Sequence, residues 1–175
     1  IMADSPDRIR ALICFGGDPL RALGDPDLAK AAFEQLDLLV SLDCRINETG
    51  KLSHYIFATS QPFERPELSM SGDGMFPEAF VQYTEAVVEP PPGVIHDWEV
   101  FWGLAARMQV PLTLKAWNYG LDYKAIPDGL PLSAVDKPDP EALFRFLAKD
   151  SAVAFDKIKA SNGGAPVKAG EKKTQ

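Results

Sequence analysis

Residues 11–17 of the chain read ALICFGG. An unbroken run of apolar residues that is stopped by two glycines is typical of a strand buried on both faces and ended by a turn. A second run of this kind, LLVSL at residues 38–42, ends at Asp43. Between the two runs, an Asp-Pro-Asp sequence gives the start signal of a helix over residues 26–35. The order of strand, helix and strand predicts a βαβ unit with parallel strands.

Further short elements continue this alternation of strand and helix. Residues 47–53 are predicted to form one or two helical turns, and the apolar run YIFA at residues 55–58 is predicted to form a third strand. Residues 61–75 lose the pattern and are a candidate surface segment. A longer helix is predicted to begin with Asp97 as its cap. Together these elements indicate an α/β layer fold.

The composition of the chain argues against several classes of protein. The chain has 175 residues, of which 46% are hydrophobic, and this is enough for one core of ordinary size. Residues 164–175 combine lysines and glycines with small apolar residues, so we expect one domain over residues 1–163 followed by a flexible tail or linker. The formal net charge of −7 disfavours binding to nucleic acid. No apolar run reaches the roughly 20 residues of a membrane helix, and without a signal segment a cytoplasmic location is favoured.

The cysteines and histidines predict no metal centre. Cys14 and Cys44 lack a Cys-x-x-Cys spacing and are more typical of small core residues than of nucleophiles. His54 and His96 are far apart in the sequence, and neither has neighbours that resemble metal ligands. We therefore assign no catalytic residue and no metal ligand from the spacing.

The ends of the first two predicted strands form the candidate binding site. Ligands of open parallel sheets bind beyond the carboxyl ends of the strands, so Gly16, Gly17 and Asp43 are expected to meet at one edge. Two adjacent glycines allow backbone N–H groups to approach a phosphate or a flat ring. The spacing is not Gly-x-Gly-x-x-Gly, so a phosphate cradle of the usual dinucleotide type is not indicated. On the residues alone, a simple strand-ending turn and a loop cap at Asp43 remain open alternatives.

A series of blocks along the chain resembles one known family. Residues 10–19 read RALICFGGDP, which is similar to an apolar strand followed by Gly-Gly-Asn-Pro. Residues 36–43 read LDLLVSLD, which is similar to Leu-Asp-Leu-Leu-Val-Val-x-Asp, and Thr49 and the stretch from Asp97 fall at later blocks. In this order the blocks resemble the molybdopterin-guanine-dinucleotide domain of the dimethyl-sulfoxide-reductase family of molybdenum and tungsten oxidoreductases.

The resemblance implies a set of cofactor-binding residues at the matching positions. They are Gly16, Gly17, Asp18, Leu42, Asp43, Thr49 and Asp97. Asp43 is expected to read the guanine base, because a carboxylate can accept two hydrogen bonds from guanine but finds no such pair of donors on adenine. The chain departs from the family pattern at several positions: Asp18 stands where Asn is usual, His54 stands where the family has Asp, and Ala58 stands where it has Pro. The Gly-Thr-Phe-x-Asn-x-Glu-Gly-Arg pattern of many members is also missing between residues 63 and 82.

The resemblance also implies a parent enzyme of several domains, in which this chain would be the third. That domain would be a Rossmann-like parallel sheet with helices on both faces, helping to hold a guanine dinucleotide arm. The cofactor would be bis-molybdopterin guanine dinucleotide with molybdenum or tungsten, and an iron–sulfur cluster would lie elsewhere in the parent. The partners would be the remaining domains and an electron-transfer subunit, and the isolated chain is expected to lack the cofactor and to be inactive. The alternative is an independent α/β module that binds a small molecule or nucleotide and has a regulatory role.

Overall fold

The computed structural model describes residues 1–69, 80–115, 129–149, 151, 153–161 and 164–166 of the chain. These residues belong to two units, which are described separately below. The first consists of residues 1–61 and 90–100, and the second consists of residues 62–89 and 101–175 as far as they are described. Within the described part, no helix combines the length and the apolar character needed to cross a membrane.

The first unit is built on a three-stranded parallel sheet. Its strands are β1 (Ala11–Phe15), β2 (Leu38–Asp43) and β3 (Tyr55–Ala58), in the order β1-β2-β3. Phe15 lies opposite Leu42 across the first pair, and Asp43 lies opposite Ala58 across the second. The predicted α/β class and the parallel pairing of the first two strands are therefore confirmed.

Short helices connect these strands. They are α1 (Pro19–Ala22), α2 (Pro26–Phe33) and α3 (Glu48–Leu52). The start of α2 follows the predicted signal, because Oδ1 of Asp25 accepts a hydrogen bond from the backbone N–H of Leu28 at 3.0 Å. This helix ends two residues earlier than predicted, since the N–H groups of Gln35 and Leu36 bond carbonyls three residues back and tighten the last turn.

Strand β2 is buried on both of its faces. On one face Leu39 packs with Cys14 and with Phe33 of α2. On the other face Val40 and Leu42 pack with Val100. Val100 belongs to α4 (Asp97–Met108), so helical residues cover both sides of the central strand. The sheet has three strands, and the more specific Rossmann-like arrangement stays a prediction.

The start of α4 differs from the prediction by one residue. Asp97 is the first residue of the helix and not its cap. The backbone N–H of Glu99 donates to the carbonyl oxygen of His96 at 3.0 Å, and the N–H of His96 donates to Oε1 of Glu99 at 3.4 Å. The second bond is one half of a capping box, in which the acid three residues on satisfies the N–H of the cap residue, whereas the first is a bond between backbone groups.

The second unit contains short antiparallel strand pairs. Strand β4 (Glu67–Leu68) pairs with β6 (Tyr83–Thr84), β5 (Phe80–Val81) pairs with β9 (Ala165–Pro166), and β7 (Thr113–Leu114) pairs with β8 (Leu130–Pro131). Helices α5 (Pro140–Leu147) and α6 (Phe155–Lys159) complete the described elements. Its core consists of buried apolar side chains, namely Val81, Ala148, Val153, Phe155, Ile158 and Ala165.

Two predicted segments fall partly in this second unit. The candidate surface segment 61–75 contains a 3-10 turn (Pro62–Glu64) and β4, and its residues 70–75 lie outside the described part. The predicted tail begins at residue 164, and its first residues enter β9, with Ala165 in the core. The rest of the tail, from residue 167, lies outside the described residues, and the boundary between residues 163 and 164 stays a prediction.

Candidate functional site

The carboxyl ends of β1 and β2 meet at one edge of the sheet. The backbone N–H of Gly16 donates to the carbonyl oxygen of Leu42 at 2.9 Å and so extends the strand ladder by one residue. Gly16 then adopts a φ of +59°, which turns the chain away from the sheet. This left-handed conformation favours glycine and explains why the strand stops here. Gly16, Gly17 and Asp43 are thus at the same edge, as the sequence predicts.

Asp18 lies across the first turn of α3. Its Oδ1 accepts hydrogen bonds from the backbone N–H of Thr49 at 3.0 Å and from the Thr49 hydroxyl at 2.6 Å. Its Oδ2 accepts from the backbone N–H of Glu48 at 3.3 Å, and Nε of Arg21 lies 3.8 Å away. The carboxylate therefore takes the place that an anion would occupy on these free amides.

These contacts determine the ionisation of Asp18. Desolvation opposes the charged form and is the largest single influence, but the hydrogen bonds from Thr49 and Glu48 and the charge of Arg21 together outweigh it. The pKa of Asp18 consequently lies below its ordinary value. Asp18 is an anion at neutral pH, fixed by donors from an element about 30 residues away in the sequence.

Asp43 and Leu42 contribute to the site in different ways. Oδ1 of Asp43 accepts from the backbone N–H of Arg45 at 3.1 Å, and Oδ2 accepts from Nδ2 of Asn47 at 2.9 Å. The side chain of Leu42 is only 1% exposed and packs in the core, so this residue reaches the edge through its backbone. A contact of either residue with a ligand stays a prediction.

Asn47 is a site residue that the sequence reasoning missed. Its Nδ2 donates to Oδ2 of Asp43 and, at 3.2 Å, to the carbonyl oxygen of Gly17, while its Oδ1 accepts from the N–H of Gly50 at 2.8 Å. It therefore joins the two strand ends and also caps α3. An Asn at the start of a predicted helical turn is a visible cap signal, but the pattern does not show that the amide reaches two other loops.

Asp97 is the site candidate that lies apart from this cluster. Its Oδ1 accepts from the backbone N–H of Trp98 at 2.8 Å. The residue follows Ile95, which forms a parallel bridge with Thr59 after β3, so it lies beyond the same sheet edge. Within the described residues no hydrogen bond joins Asp97 to Gly16, Asp18 or Asp43. Its role in binding stays a prediction.

The two cysteines differ in their surroundings. Cys14 is buried in the core of the first unit, and burial followed by the nearby charge of Asp18 raises the pKa of its thiol. Such a thiol is a poor nucleophile, in agreement with the predicted core role. Cys44 is exposed, so its predicted place in the core is wrong. It follows the last residue of β2, where the chain leaves the sheet.

The surface beside the glycine turn has room for a ligand. Among the described residues, no atom lies within 4 Å of a Cβ built at Gly16, and a Cβ built at Gly17 meets only the carbonyl oxygen of Phe15 at 4.0 Å. The described residues contain no group of three His, Cys, Asp or Glu side chains that could hold a metal ion. The arrangement can therefore offer acceptors and an open backbone turn, which are features of a binding site.

Comparison with known proteins gives a family match that includes all the candidate site residues. The family model described as molybdopterin oxidoreductase matches residues 2–107, which is more than half of the chain. The probable oxidoreductase YyaE of Bacillus subtilis is 26% identical over 108 residues, covering 62% of this chain and 16% of that protein. The NADPH-Fe(3+) oxidoreductase subunit alpha of Geobacter sulfurreducens is 27% identical over 100 residues, covering 57% of this chain and 11% of that protein. The chain thus spans less than a fifth of the length of these curated relatives.

Proposed function

The chain belongs to the molybdopterin oxidoreductase family, and on that premise we propose that its first unit holds the guanine end of a molybdopterin guanine dinucleotide within a longer oxidoreductase. One observation carries the proposal: the Asp43 carboxylate and the Gly16-Gly17 turn lie at the same sheet edge and are tied together by Asn47. Ligands of open α/β sheets bind outside this edge.

The acceptors of Asp43 suit a guanine base. An ionised carboxylate has about four lone-pair sites, and hydrogen bonds from Arg45 and Asn47 use one on each oxygen. Each oxygen therefore keeps a site for a donor from a ligand. Guanine offers its N1–H and its 2-amino group side by side, whereas adenine has an acceptor at N1. This complementarity supports Asp43 as the residue that selects guanine.

The turn at Gly16 and Gly17 suits the pyrophosphate of the same arm. Apart from the adjoining residues, a Cβ at Gly16 would meet no described atom within 4 Å and a Cβ at Gly17 only the carbonyl oxygen of Phe15 at 4.0 Å, so a side chain at either position would enter open space. The negative charge of Asp18 is compensated by its three donors and by Arg21. The Arg21 side chain is 73% exposed and lies 3.5 Å from Oε1 of Glu48, so it also compensates this second carboxylate beside the turn. These features support binding of a phosphate group at this turn, although the Gly-x-Gly-x-x-Gly motif is absent.

The redox chemistry would belong to the molybdopterin group and its metal, which is molybdenum or tungsten. This chain would contribute binding and orientation, as protein domains around such cofactors do. The remaining domains of the parent protein would complete the site, and an electron-transfer subunit and an iron–sulfur cluster elsewhere are part of the same proposal. Purified alone, the 175-residue chain is expected to hold no stoichiometric molybdenum or tungsten by plasma mass spectrometry.

The proposal is tested by titrating the 175-residue chain with GDP, IDP and ADP and following amide signals by NMR. GDP carries the base, the ribose and the pyrophosphate, and IDP differs from it only by lacking the 2-amino group. We expect GDP to shift signals of residues 15–18 and 42–49 and to bind more tightly than IDP or ADP. The variant Asp43→Asn should weaken GDP binding by about one to two orders of magnitude, because it removes hydrogen bonds to a charged group.

The matched control is Asp37→Asn. Asp37 precedes β2 at the opposite edge of the sheet and pairs with Arg10, so this variant makes the same change of charge away from the site. It should leave GDP binding unchanged. The proposal is wrong if the wild-type chain shows no preference for GDP over ADP, or if Asp43→Asn and Asp37→Asn bind GDP equally well.

A further inference from the structure

We infer that Asn47 is a positioning residue that fixes the Asp43 carboxylate for the base of a guanine nucleotide, an inference that rests on the proposed function. Nothing in the family pattern described above assigns a role to this position. The inference depends on the three hydrogen bonds of one amide group, which link α3, the end of β2 and the glycine turn.

The orientation of the Asn47 amide follows from the cap of α3. The N–H of Gly50 can only donate, so the atom that faces it at 2.8 Å must be the amide oxygen. The amide nitrogen then faces the other way, toward Oδ2 of Asp43 at 2.9 Å and the carbonyl oxygen of Gly17 at 3.2 Å. Both of those atoms are acceptors. The whole arrangement is therefore consistent with one orientation of the amide and excludes the flipped one.

The consequence for Asp43 is a carboxylate held at both oxygens. The backbone N–H of Arg45 holds Oδ1 and the amide of Asn47 holds Oδ2, so the plane of the group is set before a ligand arrives. When a ligand that needs two parallel acceptors binds, no conformational entropy is lost in ordering the Asp43 side chain. Without Asn47, the carboxylate would keep only the bond from Arg45 and could rotate about its side-chain bonds.

Asparagine is the residue that can perform both tasks at position 47. Serine caps helices well, but its hydroxyl is shorter than the amide and cannot serve Gly50 and Asp43 at once. Aspartate also caps, but it has no donor and would place a second negative charge beside Asp43. The variants Asn47→Ser and Asn47→Asp therefore keep the cap of α3 and remove the donor to Asp43.

The experiment compares the GDP and IDP affinities of the 175-residue chain and its variants by NMR titration. The ratio of the two affinities reports the hydrogen bond from the 2-amino group to Asp43. We expect Asn47→Ser to weaken GDP binding by about tenfold and to lower the GDP-to-IDP ratio by at least about threefold. Asn47→Asp should lower the ratio as well, so the test still holds if one of the two variants does not fold.

The control variant is Asp25→Ser, which introduces serine at the cap of α2, as Asn47→Ser does at the cap of α3. Asp25 accepts from the N–H of Leu28, so this variant alters a helix cap without changing the contacts of Asp43. Because serine caps helices about as well as aspartate, this variant should change thermal stability little and should leave the GDP-to-IDP ratio at the wild-type value. A purely structural role for Asn47 would affect stability without changing this ratio.

The outcomes separate the two proposals. If Asp43→Asn reduces the GDP-to-IDP ratio while Asn47→Ser and Asn47→Asp keep the wild-type ratio, Asn47 is only a helix cap and the inference is wrong, while the proposed function stands. If the wild-type chain does not distinguish GDP from IDP, the proposed function fails and the positioning role fails with it.

Discussion

The hydroxyl of Thr49 donates to Oδ1 of Asp18 at 2.6 Å, and the Oγ1 of Thr49 accepts a hydrogen bond from the backbone N–H of Leu20 at 3.0 Å. Thr49 is fully buried, so this hydroxyl has protein partners in both directions and no access to water. It connects α3 to the start of α1 across the carboxyl edge of the sheet. The segment that follows the glycine turn is thus held in place by a residue of α3.

Removing the hydroxyl of Thr49 should destabilise the first unit. The variant Thr49→Val keeps the shape of the side chain but leaves the N–H of Leu20 without its acceptor and Asp18 without its shortest bond. We expect a loss of about 1–3 kcal/mol in the free energy of unfolding, measured with urea. Thr49→Ser is the matched control because it keeps the hydroxyl and should lose less stability. Equal losses in the two variants would show that the methyl group, and not the hydroxyl, matters here.

Asp18 should give the chain a stability that depends on pH. Its pKa is lowered in the folded state, so its contribution is fully present above the pKa of an unfolded aspartate, about 3.9, and is lost as the pH falls through the lower folded value. Asp18→Asn should therefore be less stable than the wild type at pH 7, and this difference should shrink below about pH 4. Urea unfolding at several pH values measures it.

The control for this experiment is Asp27→Asn, which removes a carboxylate at an exposed position of α2. At pH 7, Asp27→Asn should lower the free energy of unfolding by less than Asp18→Asn does. The free energies of unfolding of Asp18→Asn and the wild type could also differ by a constant amount from pH 7 to pH 3. That result would contradict the assignment of an ionised, hydrogen-bonded Asp18.

The main elements of the first unit could be predicted because their signals are local. Two apolar runs became β1 and β2, and the Asp-Pro sequence at residues 25–26 became the cap and first turn of α2. Parallel pairing followed from the helix between the strands, and the meeting of the glycine turn with Asp43 followed from parallel pairing. The strands and the helix each need only signals that are close together in the sequence, and the pairing follows from their order along the chain.

The contacts inside the site could not be predicted because they join distant residues. Asp18 contacts Thr49, and Asn47 contacts Gly17, across intervals of about 30 residues that only the folded sheet brings together. The cap of α4 was misplaced because it depends on the side chain of Glu99 and not on the nearest acid. The edge of the sheet that carries the site could be predicted from the sequence, whereas the donors and acceptors at that edge are visible only in the folded chain.

Replacing Gly16 should test the cost of its backbone conformation. Gly16 has a φ of +59°, and a Cβ built there meets no described atom within 4 Å, so the strain of Gly16→Ala comes from the backbone alone. We expect a loss of about 1–2 kcal/mol in the free energy of unfolding. Gly16→Asn should lose less, because asparagine adopts this conformation more readily. A larger loss for Asn than for Ala, in urea unfolding, would show that space and not conformation limits this position.

His54 should act as a hydrogen-bond acceptor that completes the pairing of β2 and β3. Its Nδ1 accepts the backbone N–H of Leu39 at 2.8 Å, and its own backbone N–H donates to the carbonyl oxygen of Leu39 at 2.8 Å. The regular register begins one residue later, with Val40 opposite Tyr55, so the imidazole takes the place of a backbone acceptor at the end of the ladder. This arrangement requires the tautomer with its proton on Nε2, which nitrogen-15 shifts of the ring would report.

The variants of His54 distinguish this role from a simple surface position. His54→Ala removes the acceptor, so the amide of Leu39 should exchange with deuterium faster, by about fivefold or more if the bond contributes about 1 kcal/mol. Asparagine places its Oδ1 near the position of Nδ1 and can accept the same bond, so His54→Asn should keep the slow exchange. Equal exchange rates at Leu39 in the wild type and in His54→Ala would show that the imidazole does not hold this amide.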